Sequence, residues 1–173
     1  MIAALGVRPE AALVDVGGGA SPLAGQLVDR GFVDVTVLDV SESALAAASD
    51  RLGSRAARVT WLAEDVRSWS PARAYGLWHD RAAFHFLVDA ADRTRYLAVL
   101  ERALGPGGVL VLATFAPDGP STCSGLPVVR YGADQLASLV GSGFELVEQR
   151  RQVHRTPRGT AQPFTWVALR RCP

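Results

Sequence analysis

The sequence predicts an α/β fold in which a mostly parallel sheet carries helices on both faces. Three observations point to it. Short apolar runs alternate with helix-like stretches along most of the chain. The first run ends in a glycine triplet that opens a helix, and the last two runs follow one another with no helix between them. Alternation of this kind closes into a parallel sheet through right-handed crossovers. A single domain spanning residues 1–173 is expected, because 173 residues build one substantial core.

Ala12 to Val16 reads as a buried strand bounded by Gly17, Gly18 and Gly19. Ser21 as N-cap and Pro22 as first helical residue open a helix that runs to Arg30 and stops at Gly31. Val33 to Asp39 is the second strand. Ser41 caps the next helix, with Glu42 in its first turn and an end near Leu52 and Gly53. Arg58 to Ala63 is the third strand, closed by Glu64 and Asp65, and Tyr75 to Asp80 is the fourth. A helical region follows over Ala82 to Leu104, broken near Asp89; in its second half Tyr96, Leu97, Leu100 and Leu104 share a face. Gly105-Pro106-Gly107-Gly108 forms a tight turn into a fifth strand, Val109 to Phe115. After a helix from Ala133 to Val140, Glu145 to His154 and Phe164 to Arg170 form a β-hairpin.

Composition narrows the function classes. Hydrophobic residues at 49% and charged residues at 20% give a globular chain rather than a disordered one. A formal net charge of +1 offers no basic excess for nucleic acid. Arg150, Arg151, Arg155, Arg158, Arg170 and Arg171 alternate with apolar residues, which puts them on the wet face of strands rather than in an anion or RNA site. Cys123 and Cys172 match neither a disulfide framework nor a metal site, so no metal is expected. Met1 to Leu5 lacks the features of a signal peptide, and no apolar stretch reaches the ~18 residues of a membrane helix, so the cytoplasm is the expected location.

The loop Asp15-Val16-Gly17-Gly18-Gly19-Ala20-Ser21 carries the main chemical signal. Glycines admit a ligand close to the backbone, and helix N–H groups favour a carboxylate or phosphate there. Several nucleotide-binding families use such a loop, and spacing separates them. A dinucleotide fingerprint wants glycine at the first, third and sixth positions, but counting from Gly17 the sixth is Pro22. The chain also has no lysine, which removes both a phosphate loop and the Tyr-Lys pair of a dinucleotide oxidoreductase. Asp15 would repel a pyrophosphate but suits an ammonium group. Asp39, ending the second strand, can accept both hydroxyls of a ribose. Asp65, ending the third, can meet the exocyclic amine of adenine. Each acid has a structural alternative: Asp15 and Asp39 as local caps, Asp65 as a turn residue.

Asp15-Val16-Gly17-Gly18-Gly19, Val37-Leu38-Asp39, Glu64-Asp65-Val66 and Leu104-Gly105-Pro106-Gly107-Gly108 resemble, in order and separation, the successive motifs of class I S-adenosylmethionine-dependent methyltransferases. The resemblance covers nearly the whole chain. The segment Leu77 to Leu87 and the runs Thr114 to Pro120 and Cys123 to Pro127 are similar to a bacterial subgroup of unassigned substrate. It implies a three-layer Rossmann-like sandwich whose seven-stranded sheet has the order 3-2-1-4-5-7-6 with the last strand antiparallel. It also implies S-adenosyl-L-methionine as cofactor and S-adenosyl-L-homocysteine as product. Gly17 and Gly19, with Gly18 between them, would let the methionine part lie against the backbone. Asp15 would orient its ammonium group, Asp39 with Val40 would hold the ribose, and Asp65 with Val66 would read adenine. His79 would line the methyl-transfer centre. Most members carry further helices before the first strand, where this sequence has Met1 to Ala11. Three readings of that difference stay open: a naturally short chain, a truncated one, and a homodimer in which a second copy covers the cofactor site.

Methyl transfer needs a base only when the acceptor is protonated, and histidine suits that role near neutral pH. His79, directly after the fourth strand, and His85, four residues beyond Arg81 on a helix face, are the candidates; packing in an aromatic setting is the alternative for His85. Arg81, Thr114, Cys123 and His154 are candidate substrate contacts, with surface the alternative for His154. Asp80 and Arg81 would pair as a brace. Trp61, Trp69, Trp78 and Trp166 read as packing residues. The acceptor is expected to be a small molecule or a protein side chain. A non-catalytic cofactor-binding module acting with a partner is the competing reading.

Overall fold

The structure, a computed structural model, describes residues 2–19, 21–157 and 159–173. Met1, Ala20 of the glycine loop and Arg158 of the C-terminal arginines lie outside the described residues. The sheet contains seven strands: β1 (Leu13–Val16), β2 (Val35–Asp39), β3 (Val59–Ala63), β4 (Tyr75–Arg81), β5 (Leu104–Phe115), β6 (Phe144–Arg155) and β7 (Ala161–Arg171). Their order is β3-β2-β1-β4-β5-β7-β6, with β7 antiparallel to both β5 and β6 and every other pair parallel. The expected Rossmann-like sandwich is therefore observed, including its inserted last strand.

Strand periodicity divides the core in two. Leu13, Val35, Val37, Leu77, Val111 and Phe115 face α1 (Leu23–Asp29) and α2 (Glu42–Leu52), which contribute Leu27, Val28, Leu45 and Leu52. Val14, Leu38, Trp78, Leu110 and Leu112 face α3 (Ala90–Ala103) and α4 (Ala133–Val140) through Tyr96, Leu100, Leu136 and Val140. Apolar residues on both sides of β1, β4 and β5 are what a covered parallel sheet requires. Sheet parity thus sends Asp15 and His79 to one layer, Trp78 and Asp80 to the other.

Local chemistry sets the element ends. Ser41 caps α2 by accepting from the Ala44 N–H at 3.2 Å, a contact worth about 1 kcal/mol. Pro22 is the N-cap of α1 rather than its first residue, and the Ser21 hydroxyl accepts from the Leu23 N–H at 3.1 Å. β2 begins at Val35, since Val33 and Asp34 still lead into the sheet, with Val33 62% exposed. Leu104 opens β5 instead of closing a helix, and Gly105 to Gly108 belong to that strand as an irregularity: Tyr75 pairs with Leu104, whereas Leu77 pairs with Val109.

The stretch after β4 departs furthest from the expected helix. Ala82 adopts a left-handed φ of 70°, turning the chain sharply into a short 3₁₀ segment, Phe84–Phe86, before α3 starts beyond Asp89. Asp80 holds that turn. Its buried carboxylate accepts from the backbone N–H groups of Ala83 at 2.9 Å and Phe84 at 3.1 Å and from the Tyr96 hydroxyl at 2.8 Å. Tyr96 in turn accepts from the Trp78 indole at 2.8 Å. The expected Asp80–Arg81 brace is absent because neighbours on a strand point to opposite faces. For the same reason Arg81, a strand residue, shares no helix face with His85.

Candidate active site

The glycine elbow is built by exclusion of side chains. A Cβ on Gly17 would stand 2.6 Å from that of Ala83, and Gly17 has a φ of +69° that disfavours any other residue. A Cβ on Gly18 would fall on the Asp15 carboxylate, and one on Gly19 would lie 2.8 Å from Asp39 Oδ2. Bare backbone is thus pressed against the two acids beneath it.

Asp39 is shared between the elbow and α2. Its Oδ2 accepts from the Gly19 N–H and its Oδ1 from the Ser41 N–H, both at 2.9 Å. It does act as a local cap, but each oxygen accepts only one of these bonds, and the residue lines the cleft. Asp65 is held by Arg67: the guanidinium donates to both carboxylate oxygens and reaches Asp92 at 2.7 Å. Hydrogen bonding to Arg67 holds the Asp65 carboxyl below its usual range, so it is anionic at neutral pH. Sequence reasoning missed Arg67 and Asp92, whose roles depend on a contact between the β3 end and α3.

A cleft of ≈ 530 Å³ runs along the carboxyl ends of β1 to β4. Gly17, Asp39, Val40, Asp65 and Val66 line it, so most of the expected cofactor residues converge. Its far wall is formed by Ala82, Ala83 and Phe86 of the turn after β4. Its outer wall is Leu126 and Pro127, from a two-stranded ribbon of Thr122–Cys123 and Leu126–Pro127. Ser124 and Gly125 join these strands with positive φ at both positions, the two-residue turn that suits a twisted hairpin. The Ser-Gly pair was its legible signal.

Other expected site residues lie elsewhere. Asp15 is buried behind the elbow, with Oδ1 2.7 Å from His79 Nδ1 and Oδ2 without a partner among the described residues. His79 lies within β4, opposite Asp15 in register, and stays outside the cleft lining. His85 is fully buried between the rings of Phe86 and Phe115, and neither ring nitrogen has a partner among the described residues. Burial lowers its pKa to about 4. Thr114 is also fully buried and bonds the Phe115 carbonyl, which takes it away from any substrate. Cys123 is half-buried in the ribbon. The Arg130 guanidinium donates to the Gly119 carbonyl at 3.1 Å.

Arg81 and His154 do meet. They line a second cavity of ≈ 340 Å³ with Arg150, Gln152, Phe164 and Trp166. Trp61, Trp69 and Trp78 pack as expected, whereas Trp166 floors this cavity with the Arg150 guanidinium 5.2 Å above its ring. Of the C-terminal arginines, Arg151 pairs with Asp118, while Arg170 and Arg171 donate to backbone carbonyls. Among the described residues no cluster could hold a metal, and no helix is long and apolar enough to cross a membrane.

Known proteins with this arrangement are consistent in kind. A family model described as a methyltransferase domain matches residues 13–108. No curated protein sequence matches the chain. Among solved structures, the 1,6-didemethyltoxoflavin-N1-methyltransferase of Burkholderia thailandensis, bound to its substrate and S-adenosylhomocysteine, superposes with a TM-score of 0.74 at 22% identity. That match covers 95% of this chain and 72% of the other. The N-methyltransferase NodS of Bradyrhizobium japonicum gives 0.72 at 19% identity, covering 95% and 88%. A SAM-dependent methyltransferase of Methanosarcina mazei gives 0.76 at 16% identity, covering 99% and 97%. At these identities the likeness is one of fold.

Proposed function

The chain belongs to the methyltransferase domain family, and from that premise we propose that it transfers a methyl group from S-adenosylmethionine to a small-molecule acceptor. The observation carrying this reading is the cleft, where bare backbone at Gly17 and the strand-end residues Asp39 and Asp65 share one lining. The fit is supported by the bare Gly17 backbone in that lining and by the buried Asp15 Oδ2, which has no partner among the described residues. Asp39 would accept the ribose hydroxyls on its remaining lone pairs, flanked by Val40. Val66 would lie along adenine, with the anionic Asp65 near its amine. When bound, S-adenosylmethionine would supply a methyl group activated on a sulfonium, open to in-line attack by an electron-rich acceptor atom with S-adenosylhomocysteine as the leaving group.

The chain's own residues then mainly align the reactants, an effect worth ~7–11 kcal/mol in favourable cases. Where the acceptor atom carries a proton, His79 is the base we assign. A carboxylate at Nδ1 fixes the N–H there and leaves Nε2 to accept. His85, buried with no hydrogen-bond partner among the described residues, serves packing. The free thiols of Cys123 and Cys172 accord with a reducing, cytoplasmic setting.

Titration calorimetry with S-adenosylhomocysteine tests the reading. Binding is expected, and Asp39→Ala should weaken it by more than about tenfold through loss of charge-assisted hydrogen bonds. Absence of binding to the wild-type chain would overturn the assignment of the cleft.

A further inference from the structure

We propose that the second cavity, between the turn after β4 and the β6–β7 hairpin, is an oxyanion site that holds the acidic group of the methyl acceptor. Its polar lining consists of Arg81, Arg150, Gln152, His154 and the Trp166 indole, and no carboxylate lines it. Arg81 and Arg150 have no acidic partner among the described residues. Each guanidinium sits over an aromatic ring, the Arg81 Cζ 5.0 Å from the Phe164 centroid and the Arg150 Cζ 5.2 Å from that of Trp166. A cation over a ring face keeps its N–H donors available, and a guanidinium grips carboxylate or phosphate through paired hydrogen bonds. The register explains why two cations meet: Arg150 pairs with Trp166, and β7 lies beside the β5 strand that neighbours Arg81.

A second observation points to a ligand. Trp166 is 9% exposed, yet its Nε1–H has no acceptor among the described residues. A buried donor without a partner is costly, and the ring that carries this one lines the cavity.

The cavity is also in the right place. Arg81 borders it, while Ala82 and Ala83, the next residues, wall the cofactor cleft. His79, gripped by Asp15 beneath the glycine elbow, has its ring centroid 6.2 Å from that of Trp166. An acceptor anchored here by a carboxylate or phosphate would extend past His79 toward the elbow. That the bound anion belongs to a methyl acceptor rests on the methyltransferase reading; that the cavity binds an anion does not.

Benzoate, phenyl phosphate and neutral benzamide, titrated into the full chain by calorimetry and NMR, test this. The two acids are expected to bind, to weaken with added salt, and to shift the indole N–H resonance assigned through Trp166→Phe; their ranking distinguishes carboxylate from phosphate. Arg81→Met and Arg150→Met should each weaken the acids at least about tenfold, the loss of one bidentate pair. Affinity for S-adenosylhomocysteine should stay within about twofold in Arg150→Met, which also reports that the variant is folded. Benzamide binding as well as benzoate, or arginine variants binding the acids like wild type, would overturn the proposal. Acid binding without S-adenosylhomocysteine binding would leave the oxyanion site standing and remove the methyl-transfer reading; the converse would do the opposite.

Discussion

At the scale of single residues, two buried groups titrate against each other. Burial keeps His85 neutral down to about pH 4, whereas the unfolded chain takes up that proton near 6.5. Its contribution to stability is therefore complete above pH 6.5 and is lost as the pH falls toward 4. Asp80 runs the other way. Burial raises its carboxyl to about 6, against the opposing pull of the Ala83 and Phe84 amides and the Tyr96 hydroxyl. Its contribution is complete below 3.8 and declines as pH rises through 6. Between pH 4 and 6 the two nearly offset one another. Replacing His85 with Leu removes one side. Relative to wild type, the variant should lose stability as pH rises across this window, by at most about 1.4 kcal/mol per pH unit. Urea midpoints measured at several pH values would read this; parallel profiles for the two proteins would exclude it. The sequence showed His85 in an aromatic setting but could not show that it would be left without a partner. That depends on Phe115, which arrives from β5.

At the scale of elements, the turn after β4 is the one that matters. A left-handed alanine costs on the order of 1–2 kcal/mol, and the Asp80 bonds offset it while fixing Ala83 and Phe86 in the cleft wall. Tyr96→Phe should destabilise the chain by about 1–3 kcal/mol, because the buried Trp78 indole N–H then has no acceptor. The thermal midpoint would report the loss. An unchanged midpoint would show that the Trp78–Tyr96–Asp80 chain does not brace the turn. Elements with strong local signals were legible: the Ser41 cap, the α4 bounds, the Gly31 stop and the final hairpin all follow from chemistry within a few residues. The 3₁₀ turn, the Gly105–Gly108 irregularity and the Thr122–Pro127 ribbon did not declare themselves as readily, since tertiary contacts decide short elements.

At the scale of the whole molecule, the strand order was readable from the family resemblance, and the converging ends of β1, β2 and β3 followed from it. The partnerships were not. The Asp15–His79 and Arg67–Asp92 contacts each join separate elements, as does the cavity that Arg81 and His154 both line, and no spacing rule encodes them. The edge strand β6 is exposed along most of its twelve residues. An unpaired edge of that length invites another chain, and arginines there discourage it. Arg151→Thr with Arg155→Thr should therefore promote association that grows with concentration, seen by sedimentation velocity. A sedimentation coefficient identical to wild type at every concentration would show that these two charges do not guard the edge.

Arg81, Ala82 and Ala83 form a partition three residues thick, with one chamber on either side. A guest that tightens this partition from one side alters the room on the other, and equilibrium thermodynamics makes the influence mutual: the factor by which the first guest changes the second's affinity is returned unchanged. Any such influence runs through a single bend of the backbone, in addition to whatever contact the two occupants make where the methyl group passes between them.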